Sequence, residues 1–368
     1  MKFAVAVVQL MNIHDLNNES PETIRTAPVF YPRPDGGFVF APETVVVSGC
    51  MLKSHHHRAM VEVGNEQGIP FCYLCAKGYG IRLAPPEFLN YLRKLGEPVP
   101  EEQAEVILGG REHDVLELCA GCDVHGFLRP QPPVLRRDST IWFSFCVPLW
   151  TETDQGPSAS AVLTHSRVLP EIAFVEEKAE EAVKEAAKKF YGPIPVGKEA
   201  LAERVRQVQM VYHRMYASEV GAWTSVLDVD RVGVASTTGV KLPEEERRKR
   251  ARAAILAYAP LLHGAMGASL ARALPTGKAL SVVAFVSRSL KVPFVPPHPA
   301  VLPNGPGEAA DEFAGFVKLY SADGAVVWWS DPRMAWEPPS PPEGVDVLEA
   351  DSPAGVLKLS LEYLGLSE

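Results

Sequence analysis

Basic residues are in deficit: 36 Lys and Arg stand against 45 Asp and Glu, a formal charge of −9. That balance counts against a free, promiscuous nucleic-acid binder, whose footprint is basic overall. It leaves room for a local basic groove on an acidic body. Long apolar runs are missing too. The N-terminal stretch MKFAVAVVQLMNIHDLNNES alternates into polar residues, carries no cleavage signature and falls short of the ~20 residues that span a bilayer. It reads as a first strand, with no membrane partner expected and a reducing, cytoplasmic compartment by default. Enzyme signatures are absent as well. Lys278 precedes Ala279 and completes no G-x-x-x-x-G-K-[ST]; no G-x-G-x-x-G follows a strand; no H-E-x-x-H or nucleophile elbow occurs. Acidic residues are scattered and single out no catalytic pair, so no enzymatic activity is expected. Six Asn and seven Gln beside 33 Pro form a bias that heat adaptation and a GC-rich genome would both produce.

The pattern that is present is mixed α+β. Residues 2–11 read as a strand and 12–42 as a long irregular segment. TVVVSGCMLKSHHHRAMVEVGNEQG reads as a β-branched run and then a helix, with Ser48 as cap and Gly68 as stop. Residues 139–150 read as one strand, 174–190 as a charged helix, and 208–234 as two strands. A helix through EEERRKRARAAILAYAPLLHGAMG and a strand over 279–290 follow. GFVKLYSADGAVVWWS reads as a strand pair turning at Asp323-Gly324. Stripped of insertions, this order matches an RRM-like (ferredoxin-like) core, elaborated as one domain over 1–368.

Four of six cysteines form two Cys-x-x-Cys pairs, Cys72/Cys75 and Cys119/Cys122, with 43 residues between them. Four thiolates are what a closed tetrahedral zinc requires, and such a site is structural. The spacing exceeds the ~15–20 residues of a compact zinc ribbon and permits the site without diagnosing it. A redox pair lacks its strand-helix context, and buried free thiols remain an alternative. His125 stands close enough to replace one thiolate, whereas Cys50 and Cys146 read as core. His55, His56 and His57 are successive, so on a helix they cannot share a face, and at least one should be solvated. EEERRKRAR has both signs at helical spacing and reads as a solvated face.

Several stretches, taken in order, resemble one family. They are VVVSGCMLKSHHHRAM, CDVHGFL, RRDSTIWFSFCVP, THSRV, QMVYHRMYASEVGAWTSVLDVDRVG and GASLARALP. The resemblance is to the backbone subunit of type I CRISPR surveillance complexes (Cascade), in its DevR-like branch, and it covers roughly residues 3–290. It implies an RRM-like palm with an inserted finger over 69–135, which the cysteines would staple through zinc. It also implies a thumb over 151–207, with 293–368 as a C-terminal extension. Copies of the chain would stack along a guide CRISPR RNA beside other Cascade subunits. They would grip phosphates and leave base edges free to pair with target DNA, a non-catalytic role in antiviral defence. Ser48, Gly49, Lys53 and His55 fall at the family's helix start. Arg137, Arg167, Gln209, Arg214 and Arg272 fall at other matched positions, and Arg25 and Arg33 lie in a segment that would run against RNA. Two other roles remain open: a type III-like subunit cutting target RNA with Asp15, and a DNA-binding transcriptional autoregulator.

Overall fold

The N-terminal apolar run becomes β1 (Lys2–His14), the middle of the sheet in a computed structural model. The structure describes all residues except 17, 21–22, 34, 150–157, 167–210, 267–275, 303–305, 335–338, 340–342 and 368. Successive strand side chains point to opposite faces. Phe3, Val5 and Val7 therefore enter one hydrophobic cluster, and Ala4 and Ala6 another. One strand serves two cores.

β1 pairs antiparallel with β11 (Val211–Leu227), Phe3 facing Leu227, and with β12 (Thr276–Ser287), Phe3 facing Val286. Beyond β12 lie β13 (Ala325–Ser330), antiparallel, and β14 (Asp346–Glu349), parallel to β13. Short strands β8 (Ile141–Phe143) and β9 (Val147–Pro148) pair with the other edge of β11. The result is a large mixed sheet.

Helices cover both faces. α1 (Gly49–Glu66), α7 (Glu244–Leu256), α8 (Tyr258–Leu262) and α10 (Pro353–Leu364) supply Leu52, Met60, Ile255, Leu261 and Leu361 to the first cluster. On the other face α9 (Ala309–Leu319) sets Phe313 against Phe285 and Phe294, with ring centroids 5.4 and 5.0 Å apart. Residues 69–135 fold as α2 (Tyr73–Ala76), α3 (Pro86–Lys94), α4 (Glu101–Gly109), α5 (Glu112–Leu118) and α6 (Ala120–His125) with the hairpin β6 (Phe127–Arg129) and β7 (Leu135–Arg137). They hold a separate cluster around Leu74, Leu89, Ile107 and Val115.

By contacts the chain divides into two units. The first is Met1–Asn17, Arg25–Ala159 and Ala217–Glu368, and includes the hairpin β4 (Thr26–Pro32) and β5 (Phe38–Val45). The second is Asn18–Ile24 and Ser160–Tyr216, with the hairpin β2 (Asn18–Ser20) and β3 (Thr23–Ile24) and most of β10 (Ser158–Ser166).

α1 starts where its cap residue sits. Ser48 is extended (φ −69°, ψ 143°) and its hydroxyl accepts from the Met51 N–H at 3.3 Å, which satisfies one orphan donor of the first turn. Gly49 follows because the helix abuts the β8 end. A Cβ there would lie 2.5 Å from the Phe143 carbonyl oxygen and 2.8 Å from that of Ser144. Gly→Ala in a helix ordinarily stabilises. Here Gly49→Ala is expected to destabilise by about 1–3 kcal/mol through overpacking, read as a lower urea midpoint; an unchanged or raised midpoint would refute the close approach.

Several sequence expectations are corrected. Residues 315–319 are the end of α9, not a strand: Ala309, Ala310, Phe313, Ala314 and Val317 form a buried helical stripe, and β13 pairs with β12 and β14 instead. The single strand over 139–150 is two, and the two strands over 208–234 are one long β11. The irregular 12–42 segment forms hairpins. Cys50 is exposed, while Cys146 is buried. The helix expected at 174–190 lies outside the described residues.

Candidate nucleic-acid interface and metal centre

Each Cys-x-x-Cys opens a short helix. Cys72 is the N-cap residue of α2 and Cys119 that of α6, so Cys75 and Cys122 fall at the third helical position, one turn along. The Cys122 N–H donates to Cys119 Sγ at 3.3 Å. All four Sγ atoms are buried and lie within 4.8 Å of one another. Cys75 and Cys122 approach to 3.8 Å, far beyond a disulfide bond. It equals the tetrahedron edge of about 3.8 Å that zinc–sulfur bonds of ~2.3 Å produce. The middle of CAGC is glycine for a steric reason: a Cβ on Gly121 would meet His57 Nε2 at 2.7 Å and Cys75 Sγ at 3.0 Å. His125 stays outside the cluster.

Two of the three successive histidines are internal. His56 and His57 are buried, and His55, half-buried, is the one that keeps some exposure to solvent. His56 Nε2 lies 2.8 Å from the Ala254 carbonyl, an acceptor only, so Nε2 carries the proton and Nδ1 accepts from His125 Nε2 at 3.0 Å. The pair ties α1 to α6 and α7. Burial holds His55 and His57 down at about 4 and His56 at about 3, so all three are neutral near pH 7.

Lys53 opens onto a cleft of about 420 Å³ between α1 and the 69–135 region. It is half-buried, and burial together with the Arg82 guanidinium lowers its pKa to about 8. At neutral pH it remains mostly a cation.

Arg137 does not face this solvent. Its guanidinium is wholly buried. Nη1 donates to Glu112 Oε1 (2.8 Å) and the Val234 carbonyl (2.7 Å), and Nη2 to Asp123 Oδ1 (2.7 Å) and the Arg231 carbonyl (3.0 Å). Asp123 also accepts from the Gly233 N–H at 2.8 Å and from Arg250 Nη1 at 3.2 Å. Burial would raise the Glu112 pKa, but the Ser236 and Thr237 N–H groups, the Thr237 hydroxyl and Arg137 take it down to about 2. Two acids and two arginines thus neutralise one another inside the protein. The phosphate contact expected of Arg137 is corrected to a scaffold role, because every donor is already engaged. Arg250 corrects the reading of EEERRKRAR: one member of that charge run points inward, 1% exposed.

Other expected residues separate likewise. Ser48 and Gly49 are buried at the helix start, with the Ser48 hydroxyl serving as cap, so neither presents an open phosphate cradle. Lys53 and His55 both lie on α1, but two residues apart and so on different faces; Arg25 is half-buried between β3 and β4, and Arg214 half-buried on β11. Arg167, Gln209 and Arg272 lie outside the described residues. Arg82, which shares the cleft with Lys53, was missed because nothing in the LAPPEFL neighbourhood marks a lone arginine.

Comparison with known proteins decides the relationship. The family model described as "CRISPR-associated negative auto-regulator DevR/Csa2" matches residues 5–304. The chain belongs to this CRISPR-associated family. A family relative from Methanocaldococcus jannaschii, described as "CRISPR-associated protein Cas7/Cst2/DevR", is 32% identical over 181 residues, 48% of each chain. A protein of the same description from Thermoproteus tenax is 26% identical over 254 residues, 68% of this chain and 64% of that one. The chain thus matches about half and under two thirds of these two relatives' lengths. A Saccharolobus solfataricus protein, "CRISPR-associated aCascade subunit Cas7/Csa2 2", is 24% identical over 289 residues, 77% of each. Among solved structures, a chain of a "CRISPR RNA-guided surveillance complex, pre-nicking" superposes with a TM-score of 0.50 at 10% identity, covering 99% of this chain and all of that one. The family member therefore shares that chain's mixed α+β fold.

Proposed function

We propose that this chain is a non-catalytic backbone subunit of a type I RNA-guided CRISPR surveillance complex, holding guide RNA by its phosphates and leaving the bases free for target DNA. The observation that carries the reading is the alignment with the Saccharolobus aCascade subunit over 77% of both chains. The strand order β12–β1–β11–β8/β9, with α1 and α7 between strands, supports an RRM-like palm, since that is the antiparallel order of the split βαβ fold. The cysteine geometry supports a structural zinc. It would hold the finger together and leave no open position for water. The chain would act alongside further copies of itself and other subunits, in the cytoplasm; no described helix is long and apolar enough to cross a membrane.

The competing roles carry less. Asp15, which target cleavage would use, is 3% exposed, out of reach of an RNA backbone. The family description mentions auto-regulation, but a charge of −9 opposes specific DNA binding by the free chain.

The test is the nucleic acid that copurifies with the full chain from its native host. Sequencing is expected to return small RNA of one length class with constant ends. Its retention should fall steeply with salt, as phosphate contacts require. Copurifying duplex DNA, RNA fragments of random length, or no nucleic acid would overturn the proposal.

A further inference from the structure

One buried ring nitrogen beside the cysteine cluster has nothing to bind. His57 is 4% exposed, and its Nε2 is buried without a hydrogen-bond partner, which costs stability unless something fills the place. His56, one residue earlier, has both ring nitrogens engaged, by the Ala254 carbonyl and by His125. His57 instead turns its unpartnered nitrogen toward sulfur. The point where a Cβ of residue 121 would stand lies 2.7 Å from His57 Nε2 and 3.0 Å from Cys75 Sγ. Because that residue is glycine, no side chain comes between ring and thiol. The His125 ring stands edge-on to that of His57, with centroids 4.9 Å apart and planes at 86°, and limits how the imidazole can turn.

The sulfurs need such donors and share them unevenly. Four buried thiolates around one divalent cation leave net negative charge away from water, which N–H donors offset. Cys119 Sγ accepts from the Cys122 N–H at 3.3 Å. The matching turn of α2 gives Cys72 no such bond. Among the described residues no N–H donates to Cys75 Sγ, whose nearest partner is another thiol, Cys122, at 3.8 Å. We infer that His57 donates its Nε2–H to the Cys75 thiolate of the metal-loaded cluster and is a positioning residue of that site, supplied from outside the insertion that carries the ligands. The inference rests on the proposed structural zinc and adds to it a residue that binds no metal. A neutral imidazole carries one N–H, and what each nitrogen faces decides where it sits; a thiolate opposite Nε2 keeps the proton there. Hydrogen bonds of this outer kind orient a ligand and tune its basicity. His57 belongs to α1, so metal held by the insertion also fastens the helix that begins after Ser48.

Two substitutions separate a donor from a filler of space. His57→Gln carries an amide N–H close to the place of Nε2, whereas His57→Leu has similar bulk and no donor. If the ring only fills the core, leucine should serve at least as well as glutamine, because it removes a buried polar atom that has no partner. A donor predicts the reverse order. Zinc affinity of the full chain is measured by competition with a chromogenic chelator. His57→Leu is expected to bind zinc about tenfold more weakly than wild type, and His57→Gln to stay within about threefold. Cobalt(II) in place of zinc gives a second readout that packing alone does not move. A hydrogen bond lowers the energy of the sulfur lone pair. Its loss should therefore shift the thiolate-to-cobalt charge-transfer band of His57→Leu to longer wavelength, while His57→Gln keeps the wild-type position.

The failures are separable. If the wild type holds no zinc, the structural metal falls and takes the role of His57 with it. If the wild type holds zinc and His57→Leu equals or exceeds His57→Gln in affinity, with an unmoved cobalt band, the metal stands and the donor is refuted. Cys75→Ser supplies the last arm. Should the wild-type cobalt band have the intensity of three thiolates and Cys75→Ser leave it unchanged, His57 is itself a ligand in place of Cys75, and the positioning role is overturned.

Discussion

Asp123→Asn should cost this protein a large share of its stability. The carboxylate accepts from Arg137 at 2.7 Å, from Arg250 at 3.2 Å and from the Gly233 N–H at 2.8 Å, all away from water. The amide keeps the shape and removes the charge. It also turns an NH₂ group toward donors that need an acceptor. Two guanidiniums then share Glu112 and Glu246, of which Glu246 is partly exposed. Breaking a buried ion pair from one side costs about 3–5 kcal/mol because the remaining charge is uncompensated, against a typical total of ~5–15 kcal/mol. Urea denaturation should show the loss as a large drop in midpoint, with the slope retained if folding stays two-state. A drop worth under about 1 kcal/mol would mean that water reaches the network and that its apparent burial is misleading.

The second large effect concerns the metal. Four thiols converging within 4.8 Å gain little from one another, since sulfur is a weak donor and acceptor. Bound to zinc as thiolates they form a site worth of order 10–16 kcal/mol in small peptides. About one zinc per chain is therefore expected on elemental analysis. Chelation or Cys119→Ser should release the 69–135 cluster while the central sheet survives, because the strands' core residues belong to a different cluster, to which the insertion lends Ile69, Ala120 and Val124. Limited proteolysis is the direct readout: cleavage should concentrate between residues 69 and 135 after chelation and be absent before it. A metal-free protein with the same melting temperature and the same protease resistance would remove the zinc from the account.

Local chemistry was legible in the sequence, and long-range partnership was not. Ser48 could be read as a helix cap because capping involves residues three apart. β1 could be read as a strand because apolar residues bury it on both faces. The thiol pairs were readable because each closes within one helical turn. Arg137 and Arg250 were misjudged for the opposite reason: their acid partner Asp123 lies 14 and 127 positions away, and a charge run looks the same whether one member turns inward or none does. Helical angles separate the three rings of His55–His57 as expected and leave His55 partly exposed, but the burial of both His56 and His57 under α6 and α7 was not legible. Residues 315–319 looked like a strand because Phe316, Val317 and Leu319 suit either conformation, and only the sheet beneath Phe313 and Val317 selects the helix.

The charge network around Asp123 also governs how this protein can be recombined. Asp123 and Glu112 belong to the insertion, whereas Gly233, Ser236, Thr237 and Arg250 belong to the body that receives it. An insertion transplanted from another protein would have to bring acids at these two places to meet the Arg250 guanidinium and the 233–237 turn of this body. Insertion and body therefore act as one folding unit, and a chimera joined at residues 69 and 135 alone would sever it.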